Sequence, residues 1–257
     1  MIEPWERDWQ GLADWSQLPR IAPTIPALLA HGKAAHPERA AFVLDEAITT
    51  YADLESQSAC FAAQLLAAGI GKGGRVGIML PNDASFLISW MGVARIGAIA
   101  ITIPSLAKAG ELARIAQHAD LQLLVAPRTY LHHDYAARIG EAFPGLAGAL
   151  PGARMAEIPF LQHIWLWCWE GEDCPAWARR IELAAPDGDV IALVAGAGTA
   201  VHSGDPAGII YTSGSTAEPK GVIHSHGSFI RSALKLAASF DYGPGERAFA
   251  SMPFFWV

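Results

Sequence analysis

Two periods of hydrophobic and polar positions run through this chain. Ala41-Phe42-Val43-Leu44 and Ile48-Thr49-Thr50-Tyr51 flank Asp45-Glu46, and they predict a short hairpin. From about residue 51 to 68 the apolar residues fall at helical spacing. Leu54, Ala59, Phe61, Ala62, Leu65 and Leu66 make the stripe, and Gly69 ends it. Arg75-Val76-Gly77-Ile78-Met79-Leu80 is a short apolar run that predicts a buried strand. Pro81-Asn82-Asp83 then punctuates the chain, with Asn82 or Asp83 as the N-cap of a helix over 84–96. A strand over 98–103, a helix over about 106–119 and a strand at Leu121-Gln122-Leu123-Leu124-Val125 follow. Strands alternating with helices in this way predict an α/β fold: a largely parallel sheet with helices on both faces.

The pattern then loosens. Residues 143–159 are rich in Gly, Ala and Pro and predict loop or short helix. Trp165, Trp167 and Trp169 recur at period two, which predicts a strand carrying them on one face. Core or interface packing is the expectation for these rings, ahead of stacking on a base or lining a cavity. A short helix is expected over 189–195. Gly196-Ala197-Gly198-Thr199-Ala200-Val201 superficially matches a dinucleotide fingerprint. Val201 replaces its third glycine and no helix pattern follows, so these residues read as a helix C-cap and a linker.

Composition narrows the function classes. The chain has 257 residues, 52% hydrophobic and 17% charged, with a net charge of −7. That charge argues against a broad nucleic-acid surface, and the apolar content argues against disorder. Cys60, Cys168 and Cys174 fit neither a disulfide framework nor a zinc spacing, and reduced thiols suit a cytoplasmic protein. No basic-then-apolar leader pattern opens the sequence. Residues 86–104 approach the length of a membrane span, but Arg95 and Gly97 interrupt them, and a helix feeding a buried strand is the expectation. His132 and His133 are expected in solvent. Alternation along a short strand would put His224 and His226 on one face, but no third ligand lies at a useful spacing and no metal site is assigned.

The richest chemistry lies in Gly208-Ile209-Ile210-Tyr211-Thr212-Ser213-Gly214-Ser215-Thr216-Ala217-Glu218-Pro219-Lys220-Gly221-Val222. An apolar strand runs into a loop dense in hydroxyls and glycines, closed by one lysine. Such a loop can wrap backbone N–H and hydroxyl donors around phosphate oxygens, with the lysine as a mobile point charge. It is not the P-loop of the NTPases, which needs Gly before the Lys and Ser or Thr after it. Here Pro219 and Gly221 hold those places.

This segment closely resembles the phosphate-binding signature of the adenylate-forming enzymes, the superfamily of acyl-CoA synthetases, luciferases and peptide-synthetase adenylation domains. Thr50-Tyr51-Ala52-Asp53-Leu54, the run from Gly74 to Asn82, the stretch from Gly92 to Pro104, and Met252-Pro253-Phe254-Phe255-Trp256 resemble further motifs of that family. Ala217 stands where the family usually has glycine.

The resemblance implies an N-terminal part of an ATP-dependent carboxylate ligase that forms an acyl-adenylate and then an acyl-CoA thioester. It implies phosphate contacts from Thr212, Ser213, Gly214, Ser215, Thr216, Lys220 and Gly221, and an acyl pocket bordered by Trp256. ATP, Mg²⁺, coenzyme A and a small carboxylic acid are the implied reactants and cofactors. Catalytic residues are expected beyond Val257, so the chain alone is expected to be inactive. The alternative is a non-catalytic remnant that binds nucleotide weakly or packs on a partner. The implied architecture is a partial N-terminal domain with one subdomain over about 72–185. A second, incomplete subdomain would comprise about 23–70 plus 207–257, with a sheet of its own, and the C-terminal domain would be absent.

Overall fold

Capping chemistry sets the first elements. The computed structural model describes residues 21–184, 188–212, 220–240, 242 and 245–256. Helix α1 (Ile25–Ala35) is capped by Thr24, whose hydroxyl accepts from Ala27 N. The hairpin pairs β1 (Ala40–Leu44) with β2 (Ala47–Thr50), and Asp45 turns it with φ 51°. Helix α2 (Tyr51–Ala67) opens with a capping box: Thr50 Oγ1 accepts from Asp53 N, and the Asp53 carboxylate accepts from Thr50 N, each at 3.0 Å. Gly69, at φ 79°, takes the left-handed conformation that stops it.

The alternation then proceeds much as its pattern predicts. β3 (Arg75–Ile78) leads to α3 (Ala84–Ala94), and β4 (Ile99–Thr102) leads to α4 (Ala109–His118). β5 (Leu123–Pro127) is followed by a small hairpin of β6 (Thr129–Tyr130) and β7 (His133–Asp134), then by α5 (Tyr135–Ala142). β8 (His163–Trp167) and β9 (Arg179–Arg180) continue the sheet. Helix α6 (Gly188–Thr199), strand β10 (Pro206–Thr212), strand β11 (Lys220–Ser225) and helix α7 (His226–Ser239) complete the main elements.

Among the described residues, seven strands form one sheet in the order β11-β10-β4-β3-β5-β8-β9, parallel throughout except for β11 against β10. Both faces are covered. In β5, Leu123 and Val125 face one core with Phe61, Val93 and Trp165, while Leu124 and Ala126 face the other with Leu112, Tyr135 and Ile139. Gly77 has no room for a side chain, because a Cβ there would come within 2.7 Å of Leu121 Cδ1. Gly92 lets α3 close on α2, where a Cβ would lie 2.7 Å from Phe61 Cδ1.

Arg95, the charge that interrupts the apolar run, meets the Glu55 carboxylate at 2.9 Å, Glu55 O at 2.8 Å and Ser58 Oγ at 3.0 Å. Burial opposes ionisation of Glu55, but Lys33 and Arg95 outweigh it and hold the carboxyl below its ordinary range. No helix among the described residues is long and apolar enough to cross a membrane.

Three expectations are corrected. The strand expected to open a second sheet, β10, lies in the first one: Gly208, Ile209 and Ile210 pair in parallel with Ala100, Ile101 and Thr102 of β4. Apolar β4 needs a neighbour on each side, and Gly208 allows close approach, since a Cβ there would sit 3.2 Å from Ala100 O. Helix α6 does not end at Gly196 but runs on to Thr199. Gly198 lies against Arg95 O and Pro26, where a larger residue would crowd. His224 and His226 do not share a strand face. Ser225 caps α7 by accepting from Ser228 N, so the helix begins at His226.

Candidate functional site

The carboxyl ends of the parallel strands converge on one edge of the sheet, the usual place for a ligand crevice in open α/β folds. The hairpin of β10 and β11 contributes the first part. Its last pair sets Thr212 opposite Lys220, both exposed, and the pair before it sets Tyr211 opposite Gly221. Ser213, Gly214, Ser215, Thr216 and Ala217 lie outside the described residues. Of the expected phosphate contacts, then, Thr212, Lys220 and Gly221 can be placed, and they flank the two ends of the 213–219 connection. Gly221 meets a demand for space: a Cβ there would fall 2.7 Å from Ile209 Cγ2 and 3.4 Å from the Tyr211 ring.

Tyr211 anchors the base of this hairpin. Its side chain is buried, and its Oη lies 2.7 Å from His118 Nδ1 at the end of α4. Burial, with Asp120 nearby, pushes its phenol above the ordinary value.

The second part is the aromatic segment 252–256, folded as a short 3₁₀ turn over Phe254–Trp256. Asn82, just past β3, holds it from two sides: its amide donates to Met252 O at 2.8 Å and accepts from Phe254 N at 2.7 Å. Thr102, the last residue of β4, donates to Phe255 O at 2.9 Å. Phe254 packs on Phe86 and Phe42, with ring centroids at 5.4 and 5.8 Å. Trp256 is 55% exposed and meets Phe255 edge-on. The structure thus carries Trp256 to the same sheet edge as the β10–β11 hairpin.

Sequence reasoning offered Asn82 or Asp83 as the cap of α3. Asp83 takes that role, accepting from Ser85 N and Phe86 N, which frees Asn82 for the distant clamp. Burial pushes the Asp83 carboxyl up. Thr102 was not singled out, since nothing local marks a threonine at a strand end as a partner for residue 255.

Other candidates separate from this edge. Trp165 is core, edge-on to Phe61, Trp167 is half-buried with its indole N–H donated to Ser89 Oγ, and Trp169 lies past β8 and is exposed. The two rings Trp167 and Trp169 line an apolar groove of about 360 Å³ with Phe42, Leu44 and Ile88. Cys168 and Cys174 are neighbours in space, and burial together with Cys174 pushes the Cys168 thiol up to about 11, which makes it a poor nucleophile. His226 is fully buried. Its Nδ1 accepts from Ile25 N at 3.3 Å, and its Nε2 has no hydrogen-bond partner among the described residues. His224 packs against the Phe229 ring. Among the described residues, no group of three His, Cys, Asp or Glu side chains could hold a metal ion.

Known proteins share this framework. A family model described as AMP-binding enzyme matches residues 29–257. The chain is 28% identical over 235 residues to chalcone synthase cfoA of Aspergillus candidus, covering 90% of this chain and 8% of that one. It is 29% identical over 209 residues to the long-chain-fatty-acid–CoA ligase FadD13 of Mycobacterium tuberculosis, covering 81% of this chain and 36% of that protein. The chain therefore spans well under half the length of these curated relatives. Among solved structures, acetoacetyl-CoA synthetase from Streptomyces lividans superposes with a TM-score of 0.71 at 22% identity, over 91% of this chain and 35% of that one. The likeness in that last case is one of fold.

Proposed function

This chain belongs to the AMP-binding enzyme family, and on that premise we propose that it supplies the phosphate-binding part of an ATP-dependent carboxylate ligase. In this reading a carboxylate oxygen attacks the α-phosphorus of ATP, pyrophosphate leaves, and an acyl-adenylate forms. The thiol of coenzyme A then displaces AMP to give a thioester. Such chemistry depends on positioning and on stabilising charge at the phosphates. Thr212, Ser213, Ser215 and Thr216 are proposed to donate to phosphate oxygens, with Gly214 and Gly221 leaving room for the backbone and Lys220 supplying the charge. Trp256 borders the acyl end. Among the described residues, no group of three His, Cys, Asp or Glu side chains could hold magnesium by itself. Magnesium enters this reading as the counter-ion of the ATP phosphates, and no step is assigned to it.

One observation carries the reading: Thr212 and Lys220 face each other at the mouth of a hairpin, at the carboxyl edge of a parallel sheet. Equilibrium dialysis of the chain against ATP tests it. A charge-assisted hydrogen bond contributes about 1.5–3 kcal/mol, so Lys220→Ala should weaken ATP or pyrophosphate binding roughly ten- to a hundredfold. Its unfolding midpoint in urea should stay unchanged, because Lys220 is exposed. If Lys220→Ala lowers the unfolding midpoint and leaves nucleotide affinity untouched, the hairpin is structural and the phosphate site is wrongly assigned.

A further inference from the structure

We infer that Asn82 and Thr102 are positioning residues that fix the aromatic turn at 254–256 in register with the phosphate hairpin; the functional meaning of this rests on the ligase reading above. Each acts through the backbone of the segment that ends in Trp256.

The geometry is specific. Asn82 grips the chain on both sides of Pro253, donating to Met252 O and accepting from Phe254 N. A side-chain amide is suited to this because it carries a donor and an acceptor in one plane, as a peptide does. Pro253 O accepts from Trp256 N at 3.1 Å, so the grip is passed one turn further, to Trp256 itself. Thr102 adds a third point at Phe255 O, and its own side chain is buried. In the sheet, Thr102 pairs with Ile210 of β10, two residues before Thr212. One residue at the end of β4 therefore touches both the strand that feeds the hairpin and the turn that carries Trp256. The aromatic packing is less specific by comparison. Phe254 alone could slide between Phe42 and Phe86, since apolar contact has no direction. Three directional hydrogen bonds, two from the loop just past β3 and one from the end of β4, do not allow that slide. The consequence for a ligase is a fixed offset between the acyl-facing ring and the phosphate-facing hairpin.

Fluorine NMR of the chain labelled with 5-fluorotryptophan reads this directly, with Trp256→Phe assigning the Trp256 line. Asn82→Ala and Thr102→Val should each move or broaden that line while leaving the Trp165 line in place. Thr102→Ser, which keeps the hydroxyl, should restore it. Saturating ATP should move the Trp256 line in the unaltered chain and have a smaller effect in Asn82→Ala. A Trp256 line indifferent to both Asn82→Ala and Thr102→Val overturns the inference, as does ATP that binds without moving it. Should Asn82→Ala disturb all the tryptophan lines together, the Thr102→Val and Thr102→Ser pair decides. Failure of ATP to bind the unaltered chain refutes the ligase reading, and the variant spectra then decide the clamp without it.

Discussion

The middle of the sheet and the stretch from 220 to 256 are both rich in large apolar residues, and they use them in opposite ways. Val76, Ile78, Ile101, Leu123, Leu124 and Val125 are fully buried between two helical layers. Ile223, Phe240, Met252 and Trp256 are largely exposed, and Phe249 is 93% exposed. The first region is held by non-directional burial, which dominates stability. The second is held at its end by three polar contacts from Asn82 and Thr102. Local stability follows local packing, so the two regions should open at different free energies. The proposed ligand residues Lys220, Gly221 and Trp256 belong to the second, lightly packed region. Rigid support comes from one part of the chain and adaptable chemistry from the other.

The comparison breaks most readily at Phe61. Its ring is fully buried, edge-on to Trp165 at 5.7 Å, and lies beneath Gly92. Phe61→Ala leaves a cavity where two helices and the sheet meet, and should cost about 3–5 kcal/mol in urea unfolding. A loss below about 1 kcal/mol would mean the site collapses freely, and the sheet region would not be the rigid one.

A smaller effect is expected with acid, and its site lies at the seam between the two regions. His226 begins α7 but is buried against Ile25 of α1, with Asp205 and Lys72 as the charged neighbours. Burial brings its pKa from 6.5 down to about 4, Asp205 opposing the shift and Lys72 aiding it. A folded value below the unfolded one means that the neutral ring stabilises the fold above about pH 6.5. That contribution declines as pH falls through 6.5 towards 4, by an amount on the order of 3 kcal/mol. The depressed carboxyls of Glu55, Asp134 and Asp205 lose their contributions below about their own ordinary values, so the loss between 6.5 and about 4.5 comes from histidine, while Asp83, raised by burial, opposes it. His163, also lowered by burial, adds a slope that His226 variants leave intact. His226→Asn, which keeps an acceptor for Ile25 N, should flatten the acid limb of stability measured by urea unfolding at several pH values. An unchanged limb would place the acid sensitivity elsewhere.

Much of the first region was legible because its signals are local. The capping box at Thr50 and Asp53, the stop at Gly69 and the alternation from 75 to 125 each act within a few residues. The sheet membership of β10 was not legible. Gly208 pairs with Ala100, and nothing in either run names the other. The start of α7 is hidden in the sequence, because His224 and His226 also fit a strand's period of two and the capping role of Ser225 between them shows only in the structure. Of the candidate site, the run of hydroxyls, glycines and one lysine stands out in sequence because its composition is its chemistry. The Asn82 clamp does not, since one asparagine beside a helix cap looks like a cap.

The smallest expected effect sharpens the same comparison from the other side. Phe249 is as large and apolar as Phe61, but it is almost wholly exposed. Removing it exposes no cavity and frees no buried partner, so Phe249→Ser should change the unfolding free energy by no more than about 0.5 kcal/mol. Measured beside Phe61→Ala under the same conditions, the pair starts from the same residue type and differs chiefly in burial. The gap between them is therefore a direct reading of how unevenly stability is distributed along the chain. A Phe249→Ser loss that rises with protein concentration would show the exposed surface packing between copies in solution, because only association makes a folding free energy depend on concentration. A loss equal to that of Phe61→Ala at every concentration would mean that the 220–256 stretch is packed as firmly as the sheet. The division between a rigid support and a lightly held site would then have to be abandoned.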